Sequence, residues 1–175
     1  QLPHLELSRE IARRFNHMYK PIFPEPNSFL SKASLLPGID GRKMSKSYGN
    51  EIPFAASPDE LRAKVRQMIT DPQRVKKSDP GNPDVCTVYT FHKIYSPDEL
   101  ESIGTACRQA TIGCVECKKR LAERMVTALA DIHTRRSALE ANPARVKEIL
   151  EYGAERARAV AAATMAEVRQ VMNLS

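Results

Sequence analysis

The most informative stretch of this sequence is Gly38-Ile39-Asp40-Gly41-Arg42-Lys43-Met44-Ser45-Lys46-Ser47-Tyr48-Gly49-Asn50. Its three glycines give the backbone the freedom of a loop that approaches a ligand closely. Between them stand three cations and two hydroxyls, those of Arg42, Lys43, Lys46, Ser45 and Ser47. Ammonium and hydroxyl donors on such a loop suit a phosphate chain whose charge grows during a reaction. Composition alone favours the simpler interpretation, a solvated basic loop.

The composition around this 38–50 loop is that of a globular protein. Of the 175 residues, 42% are hydrophobic and 27% are charged, which is enough for one or two small domains with a core. No apolar run approaches the roughly 20 residues that cross a bilayer, so we expect no membrane span. Because Gln1 is not an initiator methionine, we expect the sequence to be a fragment or a processed product.

The charge distribution indicates a polyanionic partner. The net charge is +6, and residues 1–50 hold eight Lys or Arg against four Asp or Glu. Most of the positive excess therefore lies beside the 38–50 loop, which fits RNA or ATP as a partner.

The chain before the loop predicts one helix and then extended segments. Residues 5–19 carry apolar side chains three or four positions apart, which indicates an amphipathic helix. Residues 20–37 contain four prolines, which disfavour helix. We expect strands at Ile22-Phe23 and at Ser34-Leu35-Leu36, the second feeding the loop as at the ligand edge of an open α/β sheet.

The chain after the loop predicts helices. Ser57-Pro58-Asp59-Glu60 and Ser96-Pro97-Asp98-Glu99 both fit the capping-box pattern that opens a helix. Apolar residues at helical spacing predict a buried face after the first box, at Leu61 and Val65, and on two long helices over residues 114–141, at Leu121 and Met125, and over residues 143–172, at Ile149 and Leu150. The expected fold is mainly α: the end of an α/β domain over residues 1–50, followed by an α-helical bundle over residues 51–175.

Four cysteines fall in this helical part, at Cys86, Cys107, Cys114 and Cys117. Cys114 and Cys117 share a helix start, where the helix dipole and the cations that follow would lower the thiol pKa values. Disulfides are disfavoured in a cytosolic protein. Unligated thiols and a four-thiolate metal site both fit the spacing, and the ligand count does not choose between zinc and a four-iron, four-sulfur (4Fe–4S) cluster.

The order of residues in the loop carries a family resemblance. Residues 43–47 match, letter for letter, the KMSKS signature of class I aminoacyl-tRNA synthetases, and the flanks at 36–42 and 48–50 resemble those of bacterial tryptophanyl-tRNA synthetases. The start at Gln1 and residues 70–72, 113–114, 117–118 and 168–174 extend the resemblance over nearly the whole chain. The HIGH-type motif of class I is not found, so the chain resembles the C-terminal half of such an enzyme.

The resemblance implies a cytoplasmic ligase that activates tryptophan with ATP and Mg²⁺, transfers it to tRNA(Trp), and forms a homodimer. Residues 1–50 would belong to a Rossmann-type catalytic domain, and residues 51–175 to an anticodon-binding domain whose last helix packs back on the catalytic part. A stand-alone RNA-binding helical module without catalysis and a tyrosyl-specific relative are the alternatives.

The resemblance also implies roles for individual residues. Catalysis would fall to Lys43, Ser45, Lys46 and Ser47. ATP would be bound by Gln1, Lys43, Met44, Lys46 and Ser47. Gln1 would belong to the end of an Asp-Gln-x-x-His element, which His4 completes. Contacts to tRNA would come from a basic cluster made of Arg108, Lys118, Lys119, Arg120 and Arg124.

Some bacterial tryptophanyl-tRNA synthetases carry a 4Fe–4S cluster in this helical region. The gaps between Cys107 and Cys114 and between Cys114 and Cys117 resemble those in these enzymes. The gap between Cys86 and Cys107 is slightly shorter than theirs. The resemblance therefore favours the cluster over zinc as the occupant of a four-cysteine metal centre.

Overall fold

The computed structural model describes residues 1–31 and 35–174. Six α-helices lie in these residues: α1 Leu2–Met18, α2 Pro58–Gln67, α3 Thr87–Tyr95, α4 Leu100–Arg108, α5 Cys114–Glu140 and α6 Pro143–Val171. Short 3-10 turns cover Lys46–Tyr48 and Pro83–Val85. The predicted mainly α fold is confirmed.

The chain forms two compact units. The terminal unit comprises Gln1–Ser31 and Leu139–Ser175, and the central unit comprises Lys32–Ala138. The prediction that the domains divide at residue 50 stays a prediction.

The predicted strand at residues 22–23 is wrong, as is its counterpart at residues 35–36; Ser34 lies outside the described residues. In the described part of the chain, the only β-type backbone pairing is an isolated antiparallel bridge between Pro37 and Lys43. The backbone of residues 22–23 is instead satisfied locally, because Asn16 Oδ1 accepts from the amides of Ile22 and Phe23, both at 3.0 Å. Asn16 Nδ2 also donates to the carbonyl oxygen of Phe23 at 2.7 Å. One helix side chain thus takes the place of a partner strand.

The two predicted capping boxes have different outcomes. At α2 the Ser57 hydroxyl accepts from the Glu60 amide at 3.3 Å, while the Ser57 amide donates to Glu60 Oε2 at 2.7 Å, so this box is confirmed. The second box is wrong, since α4 begins only at Leu100 and has no side-chain cap. Ser96 is buried, and its hydroxyl pairs with His92 Nδ1 at 2.9 Å. That contact removes the serine oxygen that would have capped the helix.

The central unit has one apolar core, formed by α2, α3 and α5. Its buried members include Leu61, Val65, Val88, Phe91, Leu121 and Met125. Fully burying a side chain of this size contributes roughly 1.5–3 kcal/mol. Met44 and Ile39 of the 38–50 loop pack against the same core. The loop is therefore seated on the core of the central unit.

In the terminal unit, the chain after α1 returns along the helix. Arg9 Nε donates to the carbonyl oxygen of Pro26 at 2.6 Å, and Arg13 pairs with Glu25 at 2.8 Å. The rings of Phe15 and Phe23 meet edge to face with centroids 4.9 Å apart. These contacts fix the proline-rich segment without a sheet.

Candidate functional site

Backbone hydrogen bonds close the base of the 38–50 loop. The Gly38 amide donates to the Arg42 carbonyl at 2.7 Å, and the Ile39 amide donates to the Asn50 carbonyl at 2.9 Å. The Ile39 carbonyl in turn accepts from the Ile69 amide at 2.9 Å, which ties the loop to the end of α2. The loop therefore has a defined shape even though it contains no regular strand.

The side chain of Asn50 lies at the centre of the loop and is only 2% exposed. Its Oδ1 accepts from the Ser45 amide at 2.8 Å, and its Nδ2 donates to Asp40 Oδ1 at 2.8 Å and to the Lys43 carbonyl at 3.2 Å. A Cβ at Gly38 would lie 2.3 Å from Asn50 Cγ, so only glycine leaves room for this amide. Asn50 thus joins the beginning, middle and end of the loop.

Asp40 supports the same arrangement from the surface. The hydrogen bond from Asn50 lowers the pKa of the Asp40 carboxyl, and the hydrogen bonds from Arg42 act in the same direction. Arg42 Nη2 lies 2.7 Å from Asp40 Oδ2, and the guanidinium stacks 4.7 Å from the centroid of the Tyr48 ring. Arg42 is therefore engaged within the loop.

The two lysines of the loop have no such engagement. Lys43 and Lys46 are exposed, and in the part of the chain that the structure describes their ammonium groups make no ion pair or hydrogen bond. The Ser45 hydroxyl accepts from the Ser47 amide at 3.3 Å, which begins the 3-10 turn, and Gly49 ends it with a φ of 61°. The Ser47 hydroxyl is exposed beside the lysines. The loop therefore presents two ammonium groups and a hydroxyl to solvent.

The remaining residues predicted to bind ATP lie in different surroundings. The side chain of Met44 packs on the core of the central unit. Gln1 precedes α1 in the terminal unit, is exposed, and makes no capping bond through its side chain.

The four cysteines lie at helix ends of the central unit. Cys86 is the N-cap of α3, and Cys107 is the penultimate residue of α4. Cys114 and Cys117 occupy the first turn of α5. Within residues 1–31 and 35–174, no group of three His, Cys, Asp or Glu side chains is arranged to hold a metal ion. The side chains as placed are therefore not a preformed coordination sphere.

The electrostatics nevertheless show that the four thiols are neighbours. The pKa of Cys117 is raised to about 12, first by burial and then by the charges of Cys86, Cys107 and Cys114. The expectation of a lowered pKa is therefore wrong for Cys117, because burial outweighs the helix dipole and the nearby cations. Cys117 is therefore a neutral thiol near neutral pH, and a bound soft metal cation would be needed to hold it as a thiolate.

Two polar side chains reach the sulfur atoms. His92 Nε2 lies 3.5 Å from the Sγ atom of Cys117, and burial lowers the pKa of this histidine. Arg74 Nη1 lies 3.7 Å from the Sγ atom of Cys107. Sequence reasoning missed both residues, because neither belongs to a motif that names its partner.

The basic cluster is partly neutralised by neighbouring side chains. Arg124 lies 2.7 Å from carboxylate oxygens of both Asp98 and Glu99, and Arg120 lies 3.7 Å from Glu116. Lys118 Nζ donates to the carbonyl oxygen of Arg66 at 2.9 Å. Lys119 and Arg108 are exposed and form no ion pair within the described residues. These two retain the most accessible charge of the five.

None of the helices in the described part of the chain is long and apolar enough to span a bilayer.

Comparison with known proteins decides the family. The family model described as tRNA synthetases class I (W and Y) matches residues 1–130. The chain belongs to this family. The predicted resemblance to class I synthetases is therefore confirmed.

Curated relatives of this class I synthetase chain are named tryptophan–tRNA ligases. The protein from Aquifex aeolicus is 47% identical over 99% of the chain and 45% of the relative. The protein from Thermotoga maritima is 48% identical over 99% of the chain and 54% of the relative. The chain thus spans about half the length of the curated relatives it matches.

A solved structure supports the fold of the class I synthetase chain. The tryptophanyl-tRNA synthetase from Campylobacter jejuni, complexed with ADP and tryptophan, superposes with a TM-score of 0.77 at 26% identity. The superposition covers 98% of this chain and 54% of that structure.

We predict that Asn50→Ala loosens the 38–50 loop without unfolding the protein. The loss leaves the Ser45 amide without its acceptor, and a buried unpaired group costs about 1–3 kcal/mol. Hydrogen exchange at residues 38–50 should therefore accelerate about tenfold or more, while exchange in α5 stays unchanged. Ser47→Ala is the matched control, because it removes an exposed hydroxyl from the same loop. Equal exchange in the two variants would show that Asn50 does not hold the loop.

Proposed function

We propose that this chain supplies the pyrophosphate-binding loop and the tRNA-binding helices of a ligase that activates tryptophan with ATP and transfers it to tRNA(Trp). The observation that carries the proposal is the pair of exposed lysines at 43 and 46, which have no ion-pair partner within residues 1–31 and 35–174, on a loop fixed by Asn50. Membership of the class I family and the names of the curated relatives support the substrates.

The reaction needs positioning and charge stabilisation more than covalent catalysis. The carboxylate of tryptophan attacks the α-phosphorus of ATP, the bond to the β-phosphate oxygen breaks, and pyrophosphate leaves with its electron pair. ATP enters as its Mg²⁺ complex. Lys43 and Lys46 donate to the phosphate oxygens on which negative charge develops, so they act on the transition state more than on bound ATP.

The other residues of the 38–50 loop position these lysines. Ser47 donates its exposed hydroxyl to a phosphate oxygen. Ser45 holds the 3-10 turn, since its hydroxyl accepts from the Ser47 amide. Met44 anchors the loop on the core, which places Lys43 and Lys46 on either side of a fixed point. Gln1 belongs to the nucleotide-binding element as its exposed end.

The helical part binds the anticodon stem-loop through the basic cluster. Single-stranded loops are held by Arg and Lys contacts to phosphates and bases. Lys119 and Arg108 make the first contacts, because Arg120, Arg124 and Lys118 already have intramolecular partners.

The ligase acts in the cytoplasm as a homodimer. Residues 1–50 complete its catalytic domain and 51–175 form the anticodon-binding domain; α6 packs back on the catalytic part, which its place in one unit with α1 supports.

The four cysteines form one metal centre, a 4Fe–4S cluster, with zinc as the alternative occupant. Proximity of the four thiols and the burial of Cys86 and Cys117 support this assignment. Bound iron–sulfur clusters take four cysteine thiolates. The residues bind the centre from the starts of α3 and α5 and from the end of α4. The centre is structural, because tryptophan activation transfers no electron.

We predict that Lys46→Ala slows tryptophan activation far more than it weakens tryptophan binding. The experiment uses a chimera in which this chain replaces the matched segment of the Thermotoga maritima relative. Removing one donor to developing charge should lower the rate of ATP–pyrophosphate exchange about 100-fold or more. The Kd for tryptophan should change about twofold or less.

The matched control for that experiment is Lys93→Ala, which removes an exposed lysine of α3 that contacts the ring of Tyr89. This variant should exchange pyrophosphate at the rate of the parent chimera. If Lys46→Ala also keeps the parent rate, the loop does not act on pyrophosphate.

We predict that protein purified without oxygen contains iron and acid-labile sulfide, about four of each per chain, with visible absorption of an iron–sulfur chromophore. One zinc per chain would instead identify the alternative occupant. Cys114→Ser should lower the metal content and the thermal stability together. The metal assignment is wrong if anaerobic protein contains neither metal and every single Cys→Ser variant keeps the parent melting temperature.

A further inference from the structure

The central unit contains a cavity of about 830 Å³ whose lining residues all follow the 38–50 loop in the sequence. Its walls come from residues 70–77 after α2, from α4 and from the first two turns of α5. Among the residues that the structure describes, one carboxylate lines it, that of Glu116, against four basic side chains, those of Arg74, Lys76, Lys77 and Arg120. This excess of positive charge in a concave site favours an anionic ligand.

Arg74 is the buried member of this group, with 9% of its surface exposed. Its Nη2 donates to the carbonyl oxygens of Lys77 and Ile112, both at 2.8 Å, which fixes the guanidinium in the wall. Its Nε is a buried donor without an acceptor among the described residues. A buried donor without a partner is uncommon, because it loses its bond to water and gains nothing in return. The guanidinium therefore adds a fixed positive charge to the wall of the cavity, and an anion in the cavity would offset this charge.

Lys76 and Lys77 add accessible charge at the same wall. Both are exposed, and neither side chain forms an ion pair in the described parts of the chain. The side chain of Lys77 passes Gly113, close enough that a Cβ there would lie 3.5 Å from it. Lys77 therefore lies over the start of α5, where the first amide groups of a 27-residue helix also favour negative charge.

We propose that this cavity binds a phosphate group, held by the ammonium groups of Lys76 and Lys77 and attracted by the charge of Arg74 in the wall. Phosphate is the anion whose several oxygens match a guanidinium together with neighbouring ammonium groups. Two sources share this chemistry, a small phosphorylated molecule and the backbone of a single RNA strand.

The rest of the lining shows what the cavity does not recognise. It contains no aromatic ring in the described residues, so it offers no platform on which a base could stack. The hydroxyls of Ser102 and Thr111 already donate to backbone carbonyls, at 2.8 Å and 3.2 Å. The lining therefore favours a charged group over a stacked base. The site is independent of the proposed catalysis, since no residue of the 38–50 loop lines it.

The test compares two double variants of the 175-residue chain that lose the same charge. Lys76→Ala/Lys77→Ala removes both ammonium groups from the cavity, and Lys20→Ala/Lys93→Ala removes two exposed lysines that do not line it. Binding of inorganic phosphate, ribose 5-phosphate and a five-nucleotide single-stranded RNA is measured by calorimetry at low ionic strength. Thermal melting confirms that both variants are folded, so a loss of binding reports on the site.

The cavity variant should bind inorganic phosphate and ribose 5-phosphate about tenfold more weakly than the parent or worse. The control variant should match the parent within about twofold. If RNA affinity falls in parallel, the natural ligand is a strand backbone; if RNA binding is equal in the two variants, the ligand is a small phosphorylated molecule. The proposal is overturned if the parent binds no probe, or if both double variants bind every probe equally.

Discussion

The buried amide of Asn50 is the interaction on which the candidate catalytic site depends. Both of its hydrogens and its carbonyl oxygen are bonded inside the 38–50 loop. Because a buried amide is costly to leave unpaired, these bonds select one loop conformation. The loop is thus held by polar contacts among its own residues and by Met44 on the core. Lys43 and Lys46 are left without partners among the residues that the structure describes. A loop held in this way can offer its cations to a phosphate chain.

A second buried polar group organises the helical part. Arg74 reaches the carbonyl oxygens of Lys77 and Ile112 and the sulfur of Cys107, so it joins the segment after α2 to the end of α4 and the start of α5. Arg74 contacts Cys107 of the proposed metal centre and also lines the proposed phosphate cavity, as does Cys114. The buried charge of Arg74 therefore links the cysteine site and the cavity.

The sequence predicted those features that depend on local pattern. The helical periods placed Leu61 and Val65 of α2 and Leu121 and Met125 of α5 in the core, where the structure has them. The same periods predicted a buried face on α6, yet Leu150 is 67% exposed. Periodicity identifies an apolar face and says nothing of what covers it.

Features that depend on tertiary contacts were beyond the sequence. The second capping box failed because His92 holds the Ser96 hydroxyl, and the strand at residues 22–23 failed because Asn16 satisfies its amides. The lowered pKa expected at Cys117 failed because burial dominates. The roles of Asn50 and Arg74 could not be predicted from the sequence, because they depend on hydrogen bonds to residues many positions away. The family resemblance, by contrast, needed only residue order.

The most direct test of the central claim is tryptophanyl-adenylate formation by the chain with and without the rest of a ligase. The account predicts no adenylate from the purified 175-residue chain, because the 38–50 loop contacts only the phosphate groups that leave as pyrophosphate. It predicts adenylate from the chimera that joins the chain to the unmatched part of the Thermotoga maritima relative. Adenylate formed by the chain alone, or a folded chimera that forms none, would contradict the account.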